Sequence, residues 1–202
     1  MKSDKDILLK YLPEESVPTV LDWIGRYNLK LSISKSRVSK LGDYRPPVRQ
    51  RHHSISVNYD LNKYHFLITF VHEFAHLITW EKYKGKVKPH GKEWKEEFKT
   101  LMQSFIDNEN IFPEDIRNAL IEFFNKPSRI DTSLVRILKK YNLHSNETVL
   151  EDLPEGAVFK IYNGIIFQKQ KKLRKRFRCK RLDDGKVYLV SPLMTVEVVE
   201  EN

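Results

Sequence analysis

Cysteine is almost absent from these 202 residues: Cys179 is the only one. An internal disulfide is thereby excluded, as is a zinc site built on two or four cysteines. Glycine and proline are scarce, at 7 and 9 residues, so the chain is neither collagen-like nor of low complexity. No apolar run exceeds a few residues, and none reads as a membrane span. The first residues, Met1-Lys2-Ser3-Asp4-Lys5-Asp6, are charged and lead into no apolar stretch, which argues against a secretory leader. The expectation is a soluble intracellular protein, cytoplasmic and free to associate with a nucleoid, with no membrane partner. Acidic residues are in deficit too: 27 Asp and Glu face 36 Lys and Arg, for a net charge of +9. Such an excess favours polyanionic partners.

What is present is a change of period along the chain. Residues 14–28 place Val17, Val20, Leu21, Ile24 and Tyr27 at helical spacing. Leu29 to Lys35 alternates strictly, as a strand with one buried face does. Lys40 to Pro47 reads as a loop, and His53 to Tyr59 alternates again, giving a hairpin or sheet edge. A helix is expected from about Leu61 to Trp80, capped by Asp60 or Asn62, with Leu67, Val71, Phe74 and Ile78 on one face. Lys82 to Pro89 is a basic loop, and from Gly91 another helix carries Trp94, Phe98, Leu101 and Phe105. Residues 114–125 and 131–141 read as short helices separated by Lys126-Pro127-Ser128. After His144 the period falls to about 2, and strands are expected at Ala157–Tyr162, Ile165–Lys169, Leu173–Arg181, Val187–Val190 and Thr195–Val199. The fold class expected is α+β.

Two local patterns carry chemistry. His72-Glu73-Phe74-Ala75-His76 is an H-E-x-x-H sequence. On a helix, positions i and i+4 stand about 40° apart and about 6 Å along the axis, so both imidazoles face one point. A zinc ion about 2.0–2.1 Å from each nitrogen fits there. Zinc lowers the pKa of a bound water toward about 7, and the neighbouring Glu73 carboxylate can take its proton. A catalytic zinc needs a third protein ligand and an open fourth position. His90, across the basic loop, can supply the third if the chain folds back, with Trp94 one turn later beneath it.

His72-Glu73-Phe74-Ala75-His76 followed by His90-Gly91-Lys92-Glu93-Trp94 resembles the SprT-like family of zinc metallopeptidases over roughly residues 10–110. The resemblance implies His72, His76 and His90 as ligands of one Zn²⁺, Glu73 as general base, and a protein substrate. In eukaryotic members that substrate is bound or crosslinked to DNA. With the change of period after His144, the expected division is a SprT-like zinc metallopeptidase domain at 1–110, a helical connector at 111–145 and a small basic antiparallel β domain at 146–202. Two departures stand out. Leu41-Gly42-Asp43-Tyr44-Arg45 occupies the place of an R-W-G-S-like motif, and the ribbon-like β region keeps only Cys179, with Leu182 where a C-x-x-C partner would fall.

The other candidates are weaker. His65, seven residues before His72, is too far along the axis for the same metal. His52 and His53 begin a strand and are expected in solvent. Tyr44 and Arg45 are expected in a plain turn, with a reach toward the cleft as the alternative. Nine basic and no acidic residues run from Lys169 to Arg181. In an unbroken strand, Arg174, Arg176, Arg178 and Lys180 share one face, where four like charges call for an anion such as a nucleic-acid backbone. A solvated edge strand is the bland alternative. Two functions therefore stand: a zinc-dependent metallopeptidase hydrolysing peptide bonds through a Glu-activated, zinc-bound water on DNA-associated proteins, or a nucleic-acid-binding adaptor with a structural zinc.

Overall fold

Ser3 starts the first helix, α1 (Asp4–Tyr11), by a reciprocal cap: the Asp6 N–H donates to its hydroxyl at 3.2 Å, and the Ser3 N–H donates to the Asp6 carboxylate at 3.0 Å. Periodicity gave no sign of this helix. The computed structural model describes residues 3–37, 40–47, 51–125, 132–142 and 148–199. The Lys126-Pro127-Ser128 break, the change of period at His144 and the 145/146 boundary lie outside them. Two compact units are present, Met1–Asn142 and Leu143–Asn202.

In the first unit, the helix expected over 14–28 opens as a 3₁₀ turn (Glu14–Ser16) and continues as α2 (Val17–Arg26), with Pro18 in its first turn. Strand β1 (Leu29–Ser34) follows. The expected loop holds a short strand, β2 (Gly42–Arg45), and β3 (His53–Asn58) completes a sheet of order β1-β3-β2. The two strands read from alternation are thus parallel neighbours, not a hairpin, and β2 is antiparallel to β3 as the edge. Alternation sends Leu29, Ile55 and Val57 inward, while Lys30, Ser32, Ser54 and Ser56 line the other face.

Helix α3 (Lys63–Tyr83) lies on the inner face of this sheet, and contacts β2 and β3. Asn62 is its cap, accepting from the His65 N–H at 2.9 Å. Phe66, Leu67, Phe70, Val71, Phe74, Ala75 and Leu77 are wholly buried, so this helix is apolar on nearly every side, as a central helix must be. Trp23 stacks on Phe74 at 4.3 Å, locking α2 to α3. Helices α4 (Lys92–Ile106), α5 (Glu114–Asn125) and α6 (Thr132–Lys139) contribute Phe98, Met102, Ile116, Leu120 and Leu138 to the same core. Fold class is therefore α+β.

The second unit is a five-stranded antiparallel sheet of order β7-β6-β5-β4-β8, built from β4 (Val158–Lys160), β5 (Ile166–Lys172), β6 (Phe177–Arg181), β7 (Val187–Val190) and β8 (Glu197–Val198). Phe159, Phe167, Phe177 and Cys179 form its core with Leu150 and Val196. One core position is a lysine. Lys169, 4% exposed, alternates in phase with Phe167 and donates from Nζ to the carbonyls of Leu150 at 2.7 Å, Glu151 at 3.2 Å and Leu153, with the Phe177 ring 4.0 Å away. The charge is retained inside because three carbonyls and a ring face surround it.

Candidate metal centre

The H-E-x-x-H residues sit mid-way along α3, where Phe74 and Ala75 are buried in the core. Their histidine neighbours consequently emerge on the side away from Trp23. The chain leaves α3 through Lys84 at φ 48° and returns into α4 through His90 at φ 57°, both left-handed. That conformation is uncommon for a residue with a Cβ, and histidine is among the types that tolerate it. Gly91 follows, with the Lys88 carbonyl 2.9 Å from where a Cβ would stand, so the tight return requires glycine there. Lys82 Nζ bonds Glu97 at 2.6 Å, tying the end of α3 to α4.

This fold-back brings three ring nitrogens together. His90 Nε2 lies 3.1 Å from His72 Nε2 and 3.0 Å from His76 Nε2. Three nitrogens on a tetrahedral zinc are separated by about 3.3 Å, given bonds of about 2.0–2.1 Å. One proton on His90 can satisfy a single neighbour, whereas one cation between them satisfies all three lone pairs. Among the described residues this is the group of histidine, cysteine or carboxylate side chains able to hold a metal. Burial pushes His72 down to about 3 and His76 to about 4, with neighbouring histidines adding to the effect, and burial also lowers His90. All three therefore stand neutral near pH 7, the form a metal takes.

Trp94 forms the wall. Its ring centroid lies 4.6 Å from His72, 5.2 Å from His76 and 4.6 Å from His90, and it stacks on Phe98 at 5.1 Å. His90 is exposed, which leaves one side of the triad open.

Glu73 points toward the sheet instead of solvent and is 9% exposed. Its carboxylate lies against Gly42 of β2 and accepts a hydrogen bond from the Tyr44 N–H. Burial, reinforced by the Asp43 charge and opposed by that N–H, pushes Glu73 up to about 7. A carboxyl poised near neutrality can accept and release a proton at physiological pH.

The expectation of a plain turn at Tyr44 and Arg45 is corrected. Tyr44 is in β2 with its hydroxyl 3.0 Å from His53 Nδ1, and His53 Nε2 lies 3.1 Å from Glu81. His53 is also corrected: it is 7% exposed, not solvated, because both ring nitrogens find partners inside. His65 stands apart from the triad. The basic run does not form one strand face. Leu173 to Arg176 is a tight turn closed by the Leu173 N–H on the Arg176 carbonyl at 2.8 Å, and β6 begins at Phe177. Arg174 and Arg176 project from the hairpin tip region, while Arg178 and Lys180 alternate with buried Phe177 and Cys179. Burial raises the Cys179 thiol to about 11, so it is an inert core group.

The sequence profile of the SprT-like family matches residues 14–117. The chain belongs to the SprT-like family. No curated protein and no solved structure matches it. The SprT-like match takes in α2, the whole β1-β3-β2 sheet, α3, α4 and the start of α5, and thus every residue of the triad. A metallopeptidase-like domain, able to hold a metal at three histidines, follows from that membership and this geometry. No described helix is long and apolar enough to cross a membrane.

Proposed function

We propose that this SprT-like chain is a zinc metallopeptidase that hydrolyses peptide bonds in a protein substrate. The observation that carries the reading is the convergence of three imidazoles, with His90 Nε2 3.0–3.1 Å from the other two, on the helix that also carries the buried Glu73 carboxyl raised to about 7. His72, His76 and His90 would hold one zinc ion, leaving the exposed side for water and substrate. Bound there, zinc supplies Lewis acidity toward an oxygen ligand.

The chain's own groups do the rest. Glu73 takes a proton from the attacking water at its carboxylate and hands it to the departing amide nitrogen. Gly42 and the Tyr44 N–H fix that carboxylate so that it needs no reorientation between the two transfers. Trp94 and Phe98 exclude water behind the ligands and set the ring planes. The proposed substrate is a protein associated with DNA, and Arg174, Arg176, Arg178 and Lys180 of the second unit are proposed contacts to the nucleic-acid backbone.

Glu73→Gln tests the proposal. Zinc should remain at one ion per chain while turnover of a protein substrate, free or DNA-bound, falls by at least about 100-fold. If wild type and Glu73→Gln are equally inert on all such substrates at full zinc occupancy, the metal is structural and the chain is a nucleic-acid-binding adaptor.

A further inference from the structure

The net charge of the first unit is concentrated in one segment of the chain that does not supply the triad. Residues 29–58 hold seven Lys and Arg and a single acid, Asp43, and so account for six of the nine net positive charges of the chain. These residues make up the sheet and its connections. Register places the outward side chains in two rows across the three strands: Lys30, Ser54 and Arg45 in one, Ser32, Ser56 and Asp43 in the other. They line a groove of about 400 Å³, with His52 at its end.

Two features set this face apart from an ordinary solvated sheet. A parallel pair such as β1 and β3 is normally covered by apolar layers on both faces, yet here the outer positions are lysine and serine. The only carboxylate is also already taken: Lys40 Nζ lies 2.7 Å and Arg45 Nε 3.0 Å from Asp43. Arg37 is drawn onto the same face, donating from Nη1 to Ser56 Oγ at 3.1 Å and from Nε to Asn58 Oδ1 at 2.9 Å. Lys30, Arg37, Lys40 and Arg45 thus stand against one acid, around a floor of hydroxyls.

We infer that this outer sheet face seats the phosphate backbone of a nucleic acid. Ammonium, guanidinium and hydroxyl groups are the donors that phosphate oxygens take. The two end strands of the sheet are about 10 Å apart, so Lys30 and Arg45 are spaced for two separate anions along a chain more than for one isolated phosphate. Among the described residues the groove lining holds no Phe, Tyr or Trp, and His52 at its end is the one ring it offers, so its contacts are mainly to backbone. Strand β2 joins the two functions. Gly42 faces Glu73 from its inner side, and Asp43 and Arg45 face the groove from its outer side. The seat therefore backs directly onto the strand that holds the carboxylate. It does not depend on the peptidase reading.

The test is fluorescence anisotropy of the full-length chain with a labelled 20-nucleotide single strand and a 20-base-pair duplex across a series of KCl concentrations. The double variant Lys30→Gln/Arg45→Gln should bind at least about 10-fold more weakly, and its slope of log affinity against log salt should fall by about 1.8 on duplex or about 1.4 on single strand. Zinc content and thermal midpoint should match wild type, showing that the fold is intact. Should the double variant unfold, Lys30→Glu at an exposed position reads the same loss. A quadruple variant of Arg174, Arg176, Arg178 and Lys180 to Gln separates the hairpin from the sheet. Unchanged affinity and salt slope in Lys30→Gln/Arg45→Gln would overturn the inference. So would polyglutamate displacing the probe as well as unlabelled DNA of equal charge, which would make the occupant an acidic protein.

Discussion

A Cβ built on Gly42 would stand 2.6 Å from Glu73 Oε1 and 2.7 Å from its Cγ. The edge strand and the H-E-x-x-H helix therefore approach as closely as a backbone and a carboxylate can, and position 42 is restricted by the carboxylate opposite it. Gly42→Ala should displace Glu73 and cost about 1–3 kcal/mol of stability through overpacking. Peptidase turnover should fall at least about 10-fold while zinc stays at one per chain. Casein cleavage together with metal analysis checks this; full turnover in Gly42→Ala would show that the contact does not position Glu73.

Removing the metal should be felt as lost stability as well as lost activity. Zinc at about 1,000 times its dissociation constant stabilises a fold by about 4 kcal/mol. Chelation should lower the thermal midpoint by about 10 °C at this size. His90→Ala should show the low midpoint already, with no further drop on adding chelator. A chelator-insensitive wild type would contradict a site made by these three rings.

Acid should weaken the first unit through His65. Burial holds this ring down to about 4, against an ordinary value of 6.5. The unfolded chain takes up the proton first, so stability present above pH 6.5 is lost as pH falls toward 4. In His65→Gln that component disappears, and urea unfolding free energies plotted against pH should slope less across this window. Parallel profiles for the two proteins would refute the assignment.

Tyr44, His53 and Glu81 form a chain of hydrogen bonds that pins β2 and β3 to the end of α3. His53→Ala strands the half-buried Tyr44 hydroxyl and should cost about 1 kcal/mol beyond the lost packing. Tyr44→Phe in the same background should recover part of that loss, because no hydroxyl is left unpaired. A double-mutant cycle in urea measures it, and additive losses would show the two residues uncoupled.

The triad was legible because its geometry is local: two histidines one turn apart on a helix whose apolar face was plain, and a third just before an aromatic residue on the next helix. Helices 114–125 and 132–139 were legible for the same reason. Strand β2 was not, since Gly42 and Asp43 have low strand propensity and its pairing partner β3 lies about a dozen residues away. For His53, alternation gave the right side and residue type the wrong one. Its phase matches Ile55 and Val57, and Tyr44 and Glu81 make the inward position tolerable. In the basic run, the phase of Leu173 matched Phe177 by coincidence: the turn from Leu173 to Arg176 intervenes, and Leu173 ends exposed.

Lys169 holds the 150–153 turn with a charge that is covalently part of the chain. Such a clasp has no dissociation constant, so it cannot be titrated away by a chelator or competed for by other zinc-requiring proteins. Under the proposed function, zinc would hold the histidine triad together by an equilibrium, and the lysine clasp involves none. When zinc runs short, the first unit should fall silent while this turn of the second stays closed. The cell would then hold a dormant protein that the next zinc ion can restart, with no refolding of that turn required.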